Sequence, residues 1–314
     1  MQFSNKVVLI GTGLVGSSYA FAAMHQNLCD ELVLVDMNIN KAIADAKDLN
    51  HGLAFNQYHM NISFGTYADC KDAALVVICA GVSQKPGETR LQLVDKNMSI
   101  FKSIIDEVMA ASFDGIFLVA SNPVDILTHA TWKFSGLPKE RVIGSGTGLD
   151  SARFRYLISQ EFNVEPSIVD AYIIGEHGDS SLAVWSNVNI AGIPVADKLT
   201  AGAKENIYVQ VRNAAYEVIN AKGATYFGIA TVLARITKAI LKNENVILPT
   251  GAILAGEYGY YDVCIGSPTV INRSGRAMTI ELELSPVEKA LLDESVKEIE
   301  AIQAPFWRES FVTI

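Results

Sequence analysis

The sequence predicts an α/β protein in two parts, a doubly wound parallel sheet over residues 1–144 and a mixed α+β domain over residues 145–314, with a cleft between them. Two patterns carry this expectation. Up to residue 144, short β-branched runs alternate with longer stretches of helical period, as in a parallel sheet covered by helices on both faces; beyond that point the regular alternation stops. The chain length of 314 residues also suits two ordinary domains, and no linker, internal repeat or low-complexity tract interrupts it.

In the first half, strands are expected at residues 7–10, 31–36, 62–64, 75–80, 116–120 and 141–143, with helical patterns notably at 14–25 and 89–111. Nearly every one of these strands runs into Gly, Ser, Asn or Pro, and loops after strands are where such a sheet binds ligands. The second half is expected to open with a helix at 148–162, a strand at 168–174 and a hairpin through 185–194. Long helices at 200–222 and 227–241 follow, then a strand meander over 246–284 and an amphipathic helix from Pro286 to about Gln303.

Composition narrows the function. Half the residues are hydrophobic and 19% are charged, the balance of a chain that folds throughout. Twenty-five Lys and Arg stand against 34 Asp and Glu, and the net charge of −9 repels nucleic acid and anionic membranes. An anionic substrate must therefore meet a local cationic pocket. Cys29, Cys70, Cys79 and Cys264 form no CxxC pair, which argues for unpaired thiols in a reducing compartment and against a zinc site. The apolar start resembles a secretory signal, but three regularly spaced glycines interrupt it, and no other apolar run approaches the ~20 residues of a membrane helix. A cytoplasmic location is expected.

The first strand leads directly into Gly11-Thr12-Gly13-Leu14-Val15-Gly16. The first glycine permits a tight turn, the second admits a phosphate close to the backbone, and the third lets helix and strand approach. The next strand ends at Asp36, 20 residues beyond Gly16, where a carboxylate can bind the adenine-ribose hydroxyls and repel a 2′-phosphate. Strand, glycines, helix and acid in register predict a Rossmann domain that binds NAD in preference to NADP.

Four further segments place polar residues just beyond an expected strand or at a helix start. They are Gly81-Val-Ser-Gln-Lys-Pro-Gly-Glu-Thr-Arg90, Ser121-Asn-Pro-Val-Asp125, Gly146-Thr-Gly-Leu-Asp-Ser-Ala-Arg-Phe-Arg155 and Gly175-Glu-His-Gly-Asp179. In order and spacing, over essentially the whole chain, these motifs resemble the L-lactate and malate dehydrogenase family.

The resemblance implies a role for each residue. His177, flanked by glycines and titrating in isolation near pH ~6.5, becomes the acid that protonates the substrate carbonyl oxygen, and the base in reverse. Asp150 is implied to orient and stabilise that imidazole, although Thr147-Gly-Leu-Asp150 also fits a helix capping box. Arg153, on the same helix face as Asp150, matches the clamp for the substrate carboxylate. Arg155 is rotated by about 200° from Arg153 and is expected in a surface ion pair instead. Arg90, at the end of a loop with Gly81 and Gly87 as candidate hinges, would polarise the carbonyl on loop closure. Asn122, which also suits an Asx turn, is implied to hold the nicotinamide ribose and the substrate oxygen, and Thr225 to line the pocket. The implied cofactor set is Gly11, Gly13, Leu14, Val15, Gly16, Asp36, Gly81 and Asn122, with no metal.

Gln84 stands where the family's malate enzymes carry an Arg for a second carboxylate. A neutral amide leaves a dicarboxylate without a counter-ion, at a cost of several kcal/mol, whereas pyruvate bears a methyl group there. The expected reaction is (S)-lactate + NAD⁺ ⇌ pyruvate + NADH + H⁺. An L-2-hydroxy-acid dehydrogenase for longer substrates such as 2-hydroxyisocaproate is the nearest alternative, ahead of a malate dehydrogenase or a non-catalytic NAD-binding homologue. The resemblance further implies a homo-oligomer, in particular a homotetramer, without the N-terminal arm of vertebrate relatives. Some bacterial relatives bind fructose 1,6-bisphosphate with an Arg and a His; here Arg155 matches the first, but Asp170 replaces the second, so weak or absent activation is expected.

Overall fold

The computed structural model describes residues 5–82 and 90–307. The chain runs β1 (Lys6–Ile10), α1 (Leu14–His25), β2 (Glu31–Val35), α2 (Ile39–Gly52), β3 (Asn61–Phe64), β4 (Leu75–Ile78), α3 (Arg90–Ala110), β5 (Ile116–Val119), α4 (Val124–Ser135) and β6 (Val142–Gly144). It continues with α5 (Gly148–Phe162), β7 (Val169–Asp170), β8 (Ile173–Ile174), β9 (Leu182–Ala183), β10 (Asn189–Ile190), β11 (Ile193–Pro194), α6 (Ala201–Lys222) and α7 (Phe227–Leu241). The last elements are β12 (Val246–Ala255), β13 (Tyr261–Asn272), β14 (Gly275–Thr279) and α8 (Pro286–Trp307).

Six parallel strands in the order β6-β5-β4-β1-β2-β3 make the sheet that the alternating pattern predicts. Strands β1, β4 and β5 are buried at every residue, because helices cover both faces; this is why they read as unbroken apolar runs. One layer packs Val8, Ile78, Phe101, Ile105 and Phe117 on α3 and α4, and the opposite layer packs Leu9, Tyr19, Leu34 and Val77 on α1, α2 and α7.

The sheet does not stop at β6. The hairpin β12–β13 and then β14 extend it antiparallel to nine strands, joined where Gly251 pairs with Gly144. The backbones approach too closely there for larger side chains: a Cβ on Gly251 would lie 3.0 Å from Gly144 Cα, one on Gly144 2.6 Å from Thr128 Oγ1, and one on nearby Gly146 only 2.2 Å from Gly251 N. The remaining short strands form a three-stranded and a two-stranded sheet around a third core of Phe154, Ile158, Val169, Ile173, Ile207 and Val211.

Three elements differ from expectation. The single strand at 168–174 is two, with β7 pairing β10 and β8 pairing β9. Residues Trp185–Asn187 form a 3-10 turn, so the hairpin is confined to β10 and β11. The final helix runs past Gln303 to Trp307, whose indole packs edge-on against buried His129.

Candidate active site

The C-terminal ends of β1 and β4 meet where the strand order reverses, and the glycine turn lies there. Gly11 adopts φ +93°, and a Cβ on it would strike Ala80 N at 2.5 Å. A Cβ on Gly16 would lie 2.0 Å from Gly11 O, so this glycine seats α1 against the turn, while the space beside Gly13 is open. Leu14 and Val15 follow as the first residues of α1. Half-buried Asp36 accepts the Thr12 N–H at 2.8 Å and the Thr12 hydroxyl at 3.1 Å on Oδ2, and the Asn38 N–H at 2.8 Å on Oδ1. The carboxylate thereby ties the glycine turn to the end of β2 and keeps lone pairs for ribose hydroxyls. An open glycine at a helix N-terminus, with an acid on the neighbouring strand, fits a dinucleotide's pyrophosphate and adenine ribose. Gly16→Ala is expected to weaken NADH binding at least about tenfold, read by fluorescence titration, because the added methyl must displace the turn. Unchanged affinity would show that the turn is not the cradle.

Farther along the sheet edge, a cavity of about 140 Å³ is lined by Val15, Asn122, Leu149, Arg153, His177 and Thr225, among others. Its residues come from both halves of the chain. Asn122 follows β5, Arg153 lies on α5, His177 follows β8, and Thr225 sits between α6 and α7. Leu149, Arg153 and Thr225 also line an adjoining, more open cavity of about 420 Å³.

Asp150 organises the polar wall. Its Oδ2 lies 2.6 Å from His177 Nδ1, and its Oδ1 accepts from Arg153 Nη1 at 3.0 Å. The three side chains are 12%, 28% and 16% exposed respectively, so the pairings are largely shielded from water. Asp150 pushes the His177 imidazole up to about 9, against burial, which favours its neutral form. Burial pushes the Asp150 carboxyl up, but His177 and Arg153 outweigh it and hold the group below the ordinary carboxylate range. The capping alternative is not what forms: Thr147 is the N-cap of α5 and makes no side-chain cap bond. With Nδ1 engaged, Nε2 is the nitrogen left for the cavity.

The structure brings His177, Asp150, Arg153, Asn122 and Thr225 together at this cavity. Gln84 lies outside the described residues. Arg90 is the first residue of α3, with its side chain outside the description, and Gly81 precedes that segment. Arg155 points elsewhere, as its rotation predicts, but the expected surface ion pair is replaced: Nε donates to Ala171 O at 3.0 Å and the guanidinium lies over Tyr172. Asp170 is exposed on β7.

Two further buried polar side chains, Asn97 and Asp125, tie together the loops around the cavity. Asn97, fully buried on α3, accepts the Val82 N–H at 2.9 Å and donates to Asn122 O at 2.9 Å, tying the Gly81 loop to the Asn122 loop. Its signal was a polar residue on a face otherwise apolar at Val94, Met98, Phe101 and Ile105. Asp125, buried in the first turn of α4, accepts the His177 backbone N–H at 2.7 Å. Among the described residues no cluster of ligands could hold a metal ion, and no helix is long and apolar enough to cross a membrane. All four cysteines are unpaired.

Known proteins resemble this chain over both halves. A family model described as the NAD binding domain of lactate/malate dehydrogenase matches residues 5–144, and that of the alpha/beta C-terminal domain matches residues 147–306. The L-lactate dehydrogenase of Halalkalibacterium halodurans is 61% identical over 303 residues, covering 96% of this chain and 98% of that protein. That of Macrococcus caseolyticus is 59% identical over 308 residues, covering 96% and 98%. Among solved structures, the ligand-bound minor L-lactate dehydrogenase of Enterococcus mundtii superposes with a TM-score of 0.95 at 47% identity, covering 97% of this chain and 99% of that one.

Proposed function

Since the chain belongs to the lactate/malate dehydrogenase family, we propose that the cavity between its two halves is where (S)-lactate and pyruvate are interconverted. The protein is an NAD-dependent oxidoreductase. The observation that carries the site assignment is the shared carboxylate of Asp150, which holds an imidazole and a guanidinium side by side at one cavity wall.

Bound NAD supplies the hydride chemistry; the glycine turn from Gly11 to Gly16, Leu14, Val15 and Asp36 would hold one end, and Gly81 and Asn122 the nicotinamide side. Arg153 uses one N–H on Asp150 and keeps further donors of its fork for the substrate carboxylate. His177, protonated at neutral pH because Asp150 stabilises the imidazolium, gives the Nε2 proton to the carbonyl oxygen of pyruvate and takes it back from lactate. Asp150 fixes the tautomer and stays ionised throughout. Arg90 would polarise the carbonyl oxygen, and Thr225 would limit the pocket. The boundary between cofactor and substrate domains falls at residues 144–145.

Gln84 sets the choice of acid by offering no counter-ion to a second carboxylate. Following NADH absorbance with pyruvate, oxaloacetate and 2-oxoisocaproate tests this. Pyruvate is expected to give the highest kcat/KM, and a preference for oxaloacetate would refute the reading of Gln84. Gln84→Arg should raise the oxaloacetate-to-pyruvate ratio at least about tenfold, as expected when a buried anion gains a partner. An unmoved ratio removes the electrostatic rationale. The unpaired thiols and net negative charge suit a cytoplasmic protein, and the motif resemblance implies a homo-oligomer, in particular a tetramer, with no nucleic-acid or membrane partner.

A further inference from the structure

We propose that Asp125 is a positioning residue for the catalytic histidine: its buried carboxylate seats the loop by accepting the His177 N–H and stands as a second negative group beside the imidazole. The inference rests on reading His177 as the proton donor.

Asp125 lies three residues beyond Asn122, in the first turn of α4, and is 3% exposed. Its Oδ2 takes the His177 N–H at 2.7 Å, a contact between residues 52 apart in sequence. The preceding residues of the loop are pinned from other elements. Ser295 Oγ on α8 accepts the Glu176 N–H at 2.8 Å, and Gly175 exchanges backbone bonds with Gly266 of β13 at 3.0 and 2.7 Å. Residue 175 must be glycine there, since its φ is +88° and a Cβ would lie 2.6 Å from Ser295 Oγ. Three consecutive residues are thus held from β13, α8 and α4, and only the pin from α4 bears a charge.

The charged groups that act most strongly on His177 are Asp150 and Arg153 from α5 and Asp125 from α4. From α8, the uncharged Ser295 hydroxyl accepts from the loop backbone. On β13, burial pushes the Cys264 thiol up, and the nearby Asp125 charge adds to it. Asp150 does most to raise the imidazole and burial opposes it; Asp125 acts in the same direction as Asp150, and Arg153 against. A residue that merely filled space at position 125 would leave the titration of His177 where it is.

The test compares Asp125→Asn and Asp125→Glu with the wild type in the pH dependence of kcat/KM for pyruvate, together with NADH affinity by fluorescence. Asp125→Asn keeps an acceptor and loses the charge, so the alkaline limb should move down by about 0.5–1 pH unit with NADH affinity unchanged. Asp125→Glu should hold the limb near its wild-type position. The position of the limb reports only active molecules, so partial folding does not blur it. A limb unmoved in Asp125→Asn overturns the proposal. So does the absence of any NADH-binding fraction in either variant, which would assign Asp125 to folding. Full activity in His177→Asn would instead defeat the reading of His177 itself, and an inactive His177→Asn with an unmoved limb in Asp125→Asn defeats only the role given to Asp125.

Discussion

Replacing His177 with Asn is expected to lower kcat for pyruvate reduction about 10³-fold, the scale of losing a positioned general acid. NADH binding should survive, because the glycine turn and Asp36 lie on other loops. The direction of the pH dependence follows from the pairing with Asp150. Its charge pushes the imidazole up to about 9, so the reductive direction, which consumes the imidazolium proton, should hold its rate to that pH. Above it, kcat/KM should fall about tenfold per pH unit. Lactate oxidation needs the neutral ring and should rise over the same range. Stability follows the same sign: the contribution of the raised group is complete below its unfolded value of about 6.5 and is lost as pH climbs through about 9. Thermal unfolding at both ends of this window, in the wild type and in His177→Asn, reads the difference. A variant that keeps more than about a tenth of the wild-type kcat would remove His177 from the chemistry.

Arg153→Leu should reduce kcat/KM for pyruvate by about 10²–10⁴-fold, the range for stranding a desolvated anion without its partner. Arg153→Lys restores the charge but not the planar fork, and should recover only part of the loss. This substitution also carries a signature of its own. Arg153 opposes the rise of the His177 pKa and helps to hold Asp150 ionised, so in Arg153→Leu the residual activity should show an alkaline limb moved upward, opposite to Asp125→Asn. Steady-state kinetics across pH checks both statements, and a downward limb would contradict the arrangement around Asp150.

The parallel half of the fold was legible because its central strands are buried on both faces and its turns carry glycine where backbones collide. The candidate site was legible in its motifs, since each lies just past a strand end or at a helix start. What remained hidden depends on partners distant in sequence. Between 168 and 174, Val169, Ala171 and Ile173 alternate inward without a break, so nothing local marks the change of partner from β10 to β9. Asp125 stands inside a motif that was recognised, yet its role needs the His177 amide, 52 residues away. Asn97 shows only that an apolar helix face contains an amide; which two loops it ties together depends on the folded chain. The capping box at Thr147 is the reverse case, a local pattern overridden by a partner from another loop.

The glycine seam between β6 and β12 has a mechanical consequence. Because the sheet continues across it through the Gly144–Gly251 pair, opening the two halves like the shells of a clam would break that pairing and expose an apolar strand edge. The spacing between the Asn122 and His177 walls is therefore built in at folding. Little binding energy from so small an acid as pyruvate is then diverted to drawing the walls together, which suits a ligand with few atoms to contribute.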